Sequence, residues 1–373
     1  MGHLRQRTKG SWQICIYGIR GRYHETFRGS KAEAKARMIE LENTRNKGVP
    51  LPKGRLTLGQ HLDDWLNGYA RTCCALRTVD GYQSIIERSL KPALGRIQLK
   101  ELQPRQIQSY YGKACEKLSP RTVTKHHRLL SQALRYAVKQ GILGRNVCDL
   151  VTAPSWKGRR MKALTPGELE TLLESASSSQ FYPVIYTAVS TGLRQAELLG
   201  LRWRDLDLDV CSISVSQTLY KRRGIIEFKE PKTAHSRRRV AMTPKLALFL
   251  RDYRLECQLS GQPVGLDSLV FRNPAGKPLD PSMLSHEFHR IVEQAGLDGV
   301  QFHDLRHTFA SLALMRGAKP KVISEALGHS SVAFTMDTYS HIISGMQEDM
   351  MALLDEVLPA GKSEVGNKTS VYS

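Results

Sequence analysis

Two proline-containing breaks, at Asn46–Gly54 and Pro154–Arg160, cut this chain into three stretches whose apolar residues recur with different periods, so no single continuous core can run through it. Its 373 residues are enough for two or three separate cores. The first stretch reads as strands and a helix. Trp12–Tyr17 and Tyr23–Phe27 are β-rich around a tight Gly18–Arg22 turn, and Ser30 followed by Glu33 has the signature of a capping box ahead of the helix-forming run Lys31–Glu42. Only two strands are legible there. From Thr57 the period becomes helical: Leu58, Leu62, Trp65, Leu66 and Tyr69, then Tyr82, Ile85, Ile86 and Leu90. Ser119-Pro120-Arg121 opens a further helix with Val123, Leu129, Leu130, Ala133, Leu134 and Ala137 on one face, so a unit of four or five helices is expected. Beyond the second break, Leu164–Leu169 starts another helix, and Ser212–Ser216, Ile225–Phe228 and Arg239–Met242 read as short strands between helical flanks. The tail Gly361–Ser373 has the small, polar composition of a flexible segment.

Charge narrows the partners. Fifty-five Lys and Arg against 35 Asp and Glu leave a net charge of +20, and thirteen of those cations stand against only four Glu in residues 1–55. Such an excess suits a protein that sits on phosphates, with nucleic acid the leading partner, although charge alone also fits a basic enzyme of RNA or a membrane-surface protein. No apolar run approaches the roughly 20 residues that span a bilayer, and no apolar stretch follows the basic N-terminus as a secretory signal requires. A cytoplasmic, nucleoid-associated location is expected. The seven cysteines are odd in number, include the adjacent pair Cys73 and Cys74, and show no CxxC spacing, so they read as reduced, mostly buried thiols.

Three short segments carry reactive side chains. In Thr191–Leu199, Arg194 and Glu197 stand three apart, able to share a helix face, and Gly192 before them permits close backbone approach; alone this is an ordinary ion pair. In Phe302–Ala310, His303 and Arg306 share a face. Leu327-Gly328-His329 is then followed by Thr338-Tyr339, ten residues after His329. His303 and His307 are spaced to ligate a metal, yet the segment is not HExxH and offers no clear third ligand, so a metal site is disfavoured. His307, together with His286, His289 and His341, is assigned to packing or to the surface. Two guanidiniums, always ionised and able to bind in a bidentate manner, suit an anionic partner.

In order and spacing, these residues resemble the tyrosine recombinase (phage integrase) family over residues 162–357. The resemblance implies a multidomain chain: a small α+β arm-type DNA-binding domain at 1–55, an all-α core-binding domain at 56–155, a mainly α (α+β) catalytic domain at 162–358, and a flexible tail at 359–373. The two larger domains would close on DNA as a C-shaped clamp. It implies duplex cleavage and rejoining through a 3′-phosphotyrosine on Tyr339, with Arg194 and Arg306 as the phosphate clamp and His303 and His329 beside the phosphate or the tyrosine proton. Glu197 would orient its neighbours. Lys232, rather than its rival Lys229, would protonate the departing 5′ hydroxyl. Arg121, Lys125, Arg128, Arg159, Arg160, Arg237 and Arg238 are the expected DNA contacts, with no metal, ATP or other cofactor. A homotetramer on synapsed sites is implied, with Gln347–Leu358 docked on a neighbouring protomer, alongside an accessory DNA-bending protein and an excision factor. Three rival functions remain open: a type IB topoisomerase, a catalytically silent DNA-binding regulator and an RNA-binding protein.

Overall fold

The chain opens with three strands rather than two. β1 (Gly2–Thr8) pairs antiparallel with β2 (Ser11–Gly18), which pairs with β3 (Gly21–Arg28). β1 holds one large apolar residue, Leu4, among polar ones; register with β2, not intrinsic strand preference, makes it a strand. Alternation along β2 buries Trp12, Ile14 and Ile16, and the inner pair packs against Leu41 of α1 (Lys31–Asn46). Ser30 and Glu33 cap α1 reciprocally, Ser30 N–H donating to Glu33 Oε2 at 2.8 Å and Glu33 N–H to Ser30 Oγ at 3.3 Å.

A computed structural model of the chain describes residues 2–18, 21–46, 56–159, 161–230, 237–329 and 331–340. The first linker, His341, Gln347–Leu358 and the tail therefore fall largely or wholly outside the described residues. The chain divides into two units, Met1–Gly158 and Arg159–Ser373.

In the first unit, α2 (Leu58–Asp64) starts at a Thr57–Gln60 capping box and runs through a π-helical turn, Trp65–Ala70, into α3 (Arg71–Cys73). α4 (Leu76–Ile85) continues similarly through Ile86–Leu90 into α5 (Lys91–Leu94), and α6 (Pro104–Cys115) and α7 (Pro120–Lys139) follow. The periodic residues read from sequence, among them Leu58, Trp65, Ile86, Leu130 and Leu134, form its core. Polar bonds stitch the helices together: His61 Nε2 lies 2.9 Å from the Ala133 carbonyl, and Tyr110 and Tyr111 hydrogen-bond His126 and His127.

The second unit surrounds α9 (Tyr182–Thr191), whose Val184, Ile185 and Ala188 are buried and which packs against α8 (Pro166–Ala176), α10 (Gln195–Leu198), α11 (Pro244–Leu259) and α13 (Asp304–Met315). α12 (Pro281–Gln294), α14 (Pro320–Leu327) and a helical stretch at 332–340 complete its helices among the described residues. Strands β4 (Leu206–Asp207), β5 (Ser212–Val215) and β8 (Arg238–Ala241) form one small sheet. β6 (Thr218–Arg222) and β7 (Ile225–Lys229) form a hairpin turned by Arg223 and Gly224 at φ 49° and 84°, the doubly left-handed turn that matches strand twist. β5, β7 and β8 match the strands read from the sequence to within a residue at each end; β4 and β6 were not legible in it.

The cysteines correct an expectation. All seven are free, but only Cys148 and Cys257 are buried, and Cys73 is exposed. Cys74 and Cys115 at helix ends and Cys211 in a turn are half-buried against the two larger cores, and Cys15 is half-buried on the β2 face opposite Ile14 and Ile16. Among the described residues no helix is long and apolar enough to cross a membrane.

Gly192 ends α9 at φ +64°, and a Cβ there would lie 2.6 Å from the Phe309 ring and 2.7 Å from Leu327. Gly192→Val should therefore cost at least about 2 kcal/mol, combining left-handed strain with overpacking. Urea unfolding checks it: an unchanged midpoint would mean that the turn relaxes without penalty.

Candidate active site

Where α9 stops, the chain turns outward and Arg194 takes the N-cap position of α10 with extended backbone, φ −71° and ψ 148°. Arg194 and Glu197 thus do not share a helix face. The residue before the helix reaches forward, its N–H donating to Glu197 Oε2 and its Nη1 to Oε1, both at 2.9 Å. Nor is the pair an exposed one, because Glu197 is 3% exposed. Arg238 of β8 takes the other side, donating from Nη1 and Nη2 to the same carboxylate at 3.0 and 2.9 Å and from Nε to the Ala326 carbonyl at 2.7 Å. Burial alone would raise the Glu197 pKa. The hydrogen bonds and charge of Arg238, then those of Arg194, outweigh it and hold the carboxyl below its usual range. The Arg238 side chain is only 7% exposed, which corrects its expected role as a DNA contact: its guanidinium is consumed inside the fold.

Arg306, on the first turn of α13, is 3% exposed and donates from Nη1 to the Gly192 carbonyl at 2.8 Å and from Nη2 to the Leu327 carbonyl at 2.6 Å. Arg194 Nη2 donates to the Gly328 carbonyl at 3.0 Å. These acceptors lie at the C-terminal ends of α9 and α14, both closed by left-handed glycines, where unpaired carbonyls and the negative end of the helix dipole favour cations. Burial, then the charge of Arg194, pushes the Arg306 pKa down to about 9, which still leaves it charged at neutral pH.

Three histidines and the tyrosine adjoin this cluster. His303 stands at the N-cap position of α13, exposed and without a side-chain capping bond; desolvation, then Arg306, lowers its pKa. His329 follows Gly328, with Nδ1 2.7 Å from Thr335 Oγ1, and burial followed by Arg306 and Arg194 pushes it down to about 4. Tyr339, in the helical stretch at 332–340, is buried, and burial pushes its phenol up to about 12 against the opposing pull of Arg306. Its hydroxyl lies 2.8 Å from His307 Nδ1. His307, assigned from sequence to packing or the surface, is therefore buried beside the tyrosine oxygen. The clue in sequence was its place next to Arg306 and one helical turn after His303, but the partner that gives the spacing meaning comes from 32 residues away.

The structure thus brings Arg194, Glu197, His303, Arg306, His329 and Tyr339 into one neighbourhood. Lys232 and Arg160 lie outside the described residues. The rival Lys229 is engaged on its own hairpin, 3.1 Å from Glu227 Oε2 and 4.1 Å above the Tyr220 ring. Arg159 forms an ion pair with buried Asp304, and exposed Arg237 pairs with Glu230. In the first unit, Arg121, Lys125 and Arg128 are exposed along one side of α7, with the Arg121 guanidinium 4.8 Å from the Trp156 ring. His286 and His289 are at the surface as expected.

Residues 162–344 match the profile described as the phage integrase family, and residues 57–114 match a phage integrase N-terminal SAM-like domain. Similar curated proteins include a tyrosine recombinase XerC-like protein of Caldanaerobacter subterraneus, 27% identical over 357 residues covering 89% of this chain and 91% of that protein. The ICEBs1 integrase of Bacillus subtilis is 26% identical, with coverages of 88% and 91%. Among solved structures, the Tn1549 transposon integrase with a circular intermediate DNA matches at TM-score 0.69 and 22% identity, over 80% of this chain and 99% of that one. A lambda integrase tetramer bound to a Holliday junction matches at TM-score 0.60 and 19% identity, over 90% and 94%. At these identities the structural likenesses establish the fold.

Glu197→Gln should cost about 3–5 kcal/mol, because it leaves buried guanidiniums without their counter-charge. Since the folded Glu197 pKa lies below its ordinary 4.5, its stabilisation is present above that pH and is lost as pH falls through the folded value. Denaturant midpoints across the acidic range should fall for the native chain and show less of that acid-side loss in the variant; parallel profiles would contradict the assignment.

Proposed function

The chain belongs to the phage integrase family, and on that premise we propose that it is a site-specific recombinase of a phage or other mobile element, cutting and rejoining duplex DNA through a phosphotyrosine at Tyr339. The observation that carries this reading is the convergence of two charged guanidiniums, neutral imidazoles and a phenol on one site. Each has a task in phosphoryl transfer. Arg194 and Arg306 receive the scissile phosphate, their geometry set beforehand by the helix-end carbonyls, so charge developing on the non-bridging oxygens meets donors already in place. His303 and His329, uncharged at neutral pH, add hydrogen bonds to the same oxygens. Glu197 orients Arg194 without touching DNA.

The Tyr339 oxygen attacks phosphorus, the bond to the 5′ oxygen breaks, and Lys232 protonates that leaving oxygen. The engagement of Lys229 on its hairpin favours Lys232 for this step. The aryl phosphate keeps the bond energy until a second 5′ hydroxyl reverses the attack, so no ATP is consumed. Residues 1–55 act as an arm-type module and 56–155 as a core-binding domain, with the exposed row Arg121, Lys125 and Arg128 on DNA phosphates together with Arg159, Arg160 and Arg237. Two DNA sites need four cleavages, hence a tetramer on synapsed DNA; an accessory bending protein and an excision factor would set direction.

On nicked DNA from the ends of the element that encodes it, the chain should form a covalent adduct that Tyr339→Phe abolishes while DNA binding persists. An adduct in the Phe variant would sink the nucleophile assignment, and no adduct with the native chain would favour a silent DNA-binding regulator. Arg306→Ala should slow adduct formation by about 10²–10³-fold. Lys232→Ala should regain activity on a 5′-bridging phosphorothiolate, whose leaving group needs no proton; failure of that rescue would remove Lys232 as the acid.

A further inference from the structure

The Tyr339 hydroxyl already has a partner. His307 Nδ1 lies 2.8 Å from it, Tyr339 is 2% exposed and His307 7%, so the phenol and the ring nitrogen satisfy one another where water has little access. From this geometry we propose that His307 is a catalytic residue: its neutral imidazole accepts the Tyr339 phenolic proton through Nδ1 during attack on phosphorus and returns it when the phosphotyrosine is broken. The inference rests on Tyr339 being the nucleophile, and it gives the proton a destination that His303 and His329 do not supply.

His329 presents its Nδ1 to Thr335 Oγ1 at 2.7 Å, and its pKa is governed, after burial, by Arg306 and Arg194. His303 is likewise influenced by Arg306 and Arg194 and stands on the solvent side. All three rings lie in the field of Arg306, but only His307, among the described residues, has a ring nitrogen in hydrogen-bond contact with the phenol. The groups around His307 suit a base that is neutral at rest. Burial, then His303, Arg306 and Arg159, press it toward the neutral form, and Asp304 alone pulls the other way; the balance leaves its pKa at about 4. A phenol pushed up to about 12 is almost wholly protonated near pH 7, so attack needs somewhere to put the proton. As the bond from oxygen to phosphorus forms, the phenol becomes far more acidic and transfer to nitrogen becomes favourable. The balance is then complete: the Tyr339 O–P bond forms, the P–O5′ bond breaks, the phenolic proton moves to His307 Nδ1, and the 5′ oxygen takes a separate proton from the general acid. Asp304 partly offsets the charge of the transient imidazolium.

The test uses the full chain in single-turnover adduct formation on nicked element-end DNA, with His307→Asn and His307→Gln, whose amides accept a hydrogen bond but not a proton. Each should slow adduct formation by about 10²-fold or more with DNA affinity unchanged. Replacing Tyr339 with 3,5-difluorotyrosine, which ionises without a base near neutral pH, should recover at least about tenfold in the His307 variants and little in the native background, as expected if the loss lies in proton transfer. Native rates in the variants, or a loss that the fluorinated tyrosine does not relieve, would overturn the proposal. Independently of how the variants fold, ¹⁵N NMR of the native chain should find His307 Nδ1 unprotonated and Nε2 carrying the hydrogen; a protonated Nδ1 would overturn it. Tyr339→Phe in parallel separates the two readings. An adduct in that variant overturns the nucleophile and with it this proposal, whereas no adduct there, with full activity in both His307 variants, removes only His307.

Discussion

Glu197 holds two guanidiniums by one carboxylate inside the protein, and the charged part of the second unit depends on it. Arg194, Arg238 and Arg306 are mutually repulsive, and at an effective dielectric near 20 a pair of like charges several ångströms apart costs on the order of 2–4 kcal/mol. The carboxylate offsets this repulsion from within hydrogen-bond distance of Arg194 and Arg238, at 2.9–3.0 Å. Its own desolvation is tolerable only because both oxygens are shared between these donors. The arrangement is thus reciprocal: the acid stays ionised because the bases are there, and the bases stay buried because the acid is.

Arg306 is held differently, with no carboxylate in direct contact among the described residues. Its two terminal nitrogens close the ends of α9 and α14, using carbonyls that a helix leaves unpaired at its C-terminus. Left-handed Gly192 and Gly328 make this possible by ending both helices abruptly, and at Gly328 a Cβ would lie 3.0 Å from the Arg238 guanidinium. Fixed donors and dipoles of this kind stabilise charge that appears only during a reaction without reorganising at that moment. The same helix, α13, carries His303 and His307 and is tied to the start of the unit by the Arg159–Asp304 ion pair and by Leu164 N–H donating to Thr308 Oγ1 at 3.0 Å.

The first unit meets a different demand. Its sheet and helices need only modest cores, and much of their outer surface is left to cations such as Arg121, Lys125 and Arg128 on α7, one helical turn apart. Cations exposed in this way are the kind of group that meets phosphates without fixing a sequence, and affinity built on such contacts falls as salt rises.

The sequence by itself determined what depends on near neighbours along the chain. Ser30 with Glu33 and Thr165 with Glu168 start helices where they were expected, because a capping box is complete within four residues. Helical period identified the core of α7, and the joint spacing of Arg194, His303, Arg306, His329 and Tyr339 was enough to recognise the family. Tertiary structure decided the rest. β1 became a strand only by pairing with β2, and Arg237 and Arg238, adjacent in sequence, point to opposite fates: one exposed beside Glu230, the other consumed by a carboxylate 41 residues away. His307 acquired a partner 32 residues away that no local pattern names. Local hydrogen bonds and periodicity are written in neighbouring residues, whereas the partner of a buried polar group is set by which elements the hydrophobic core brings together.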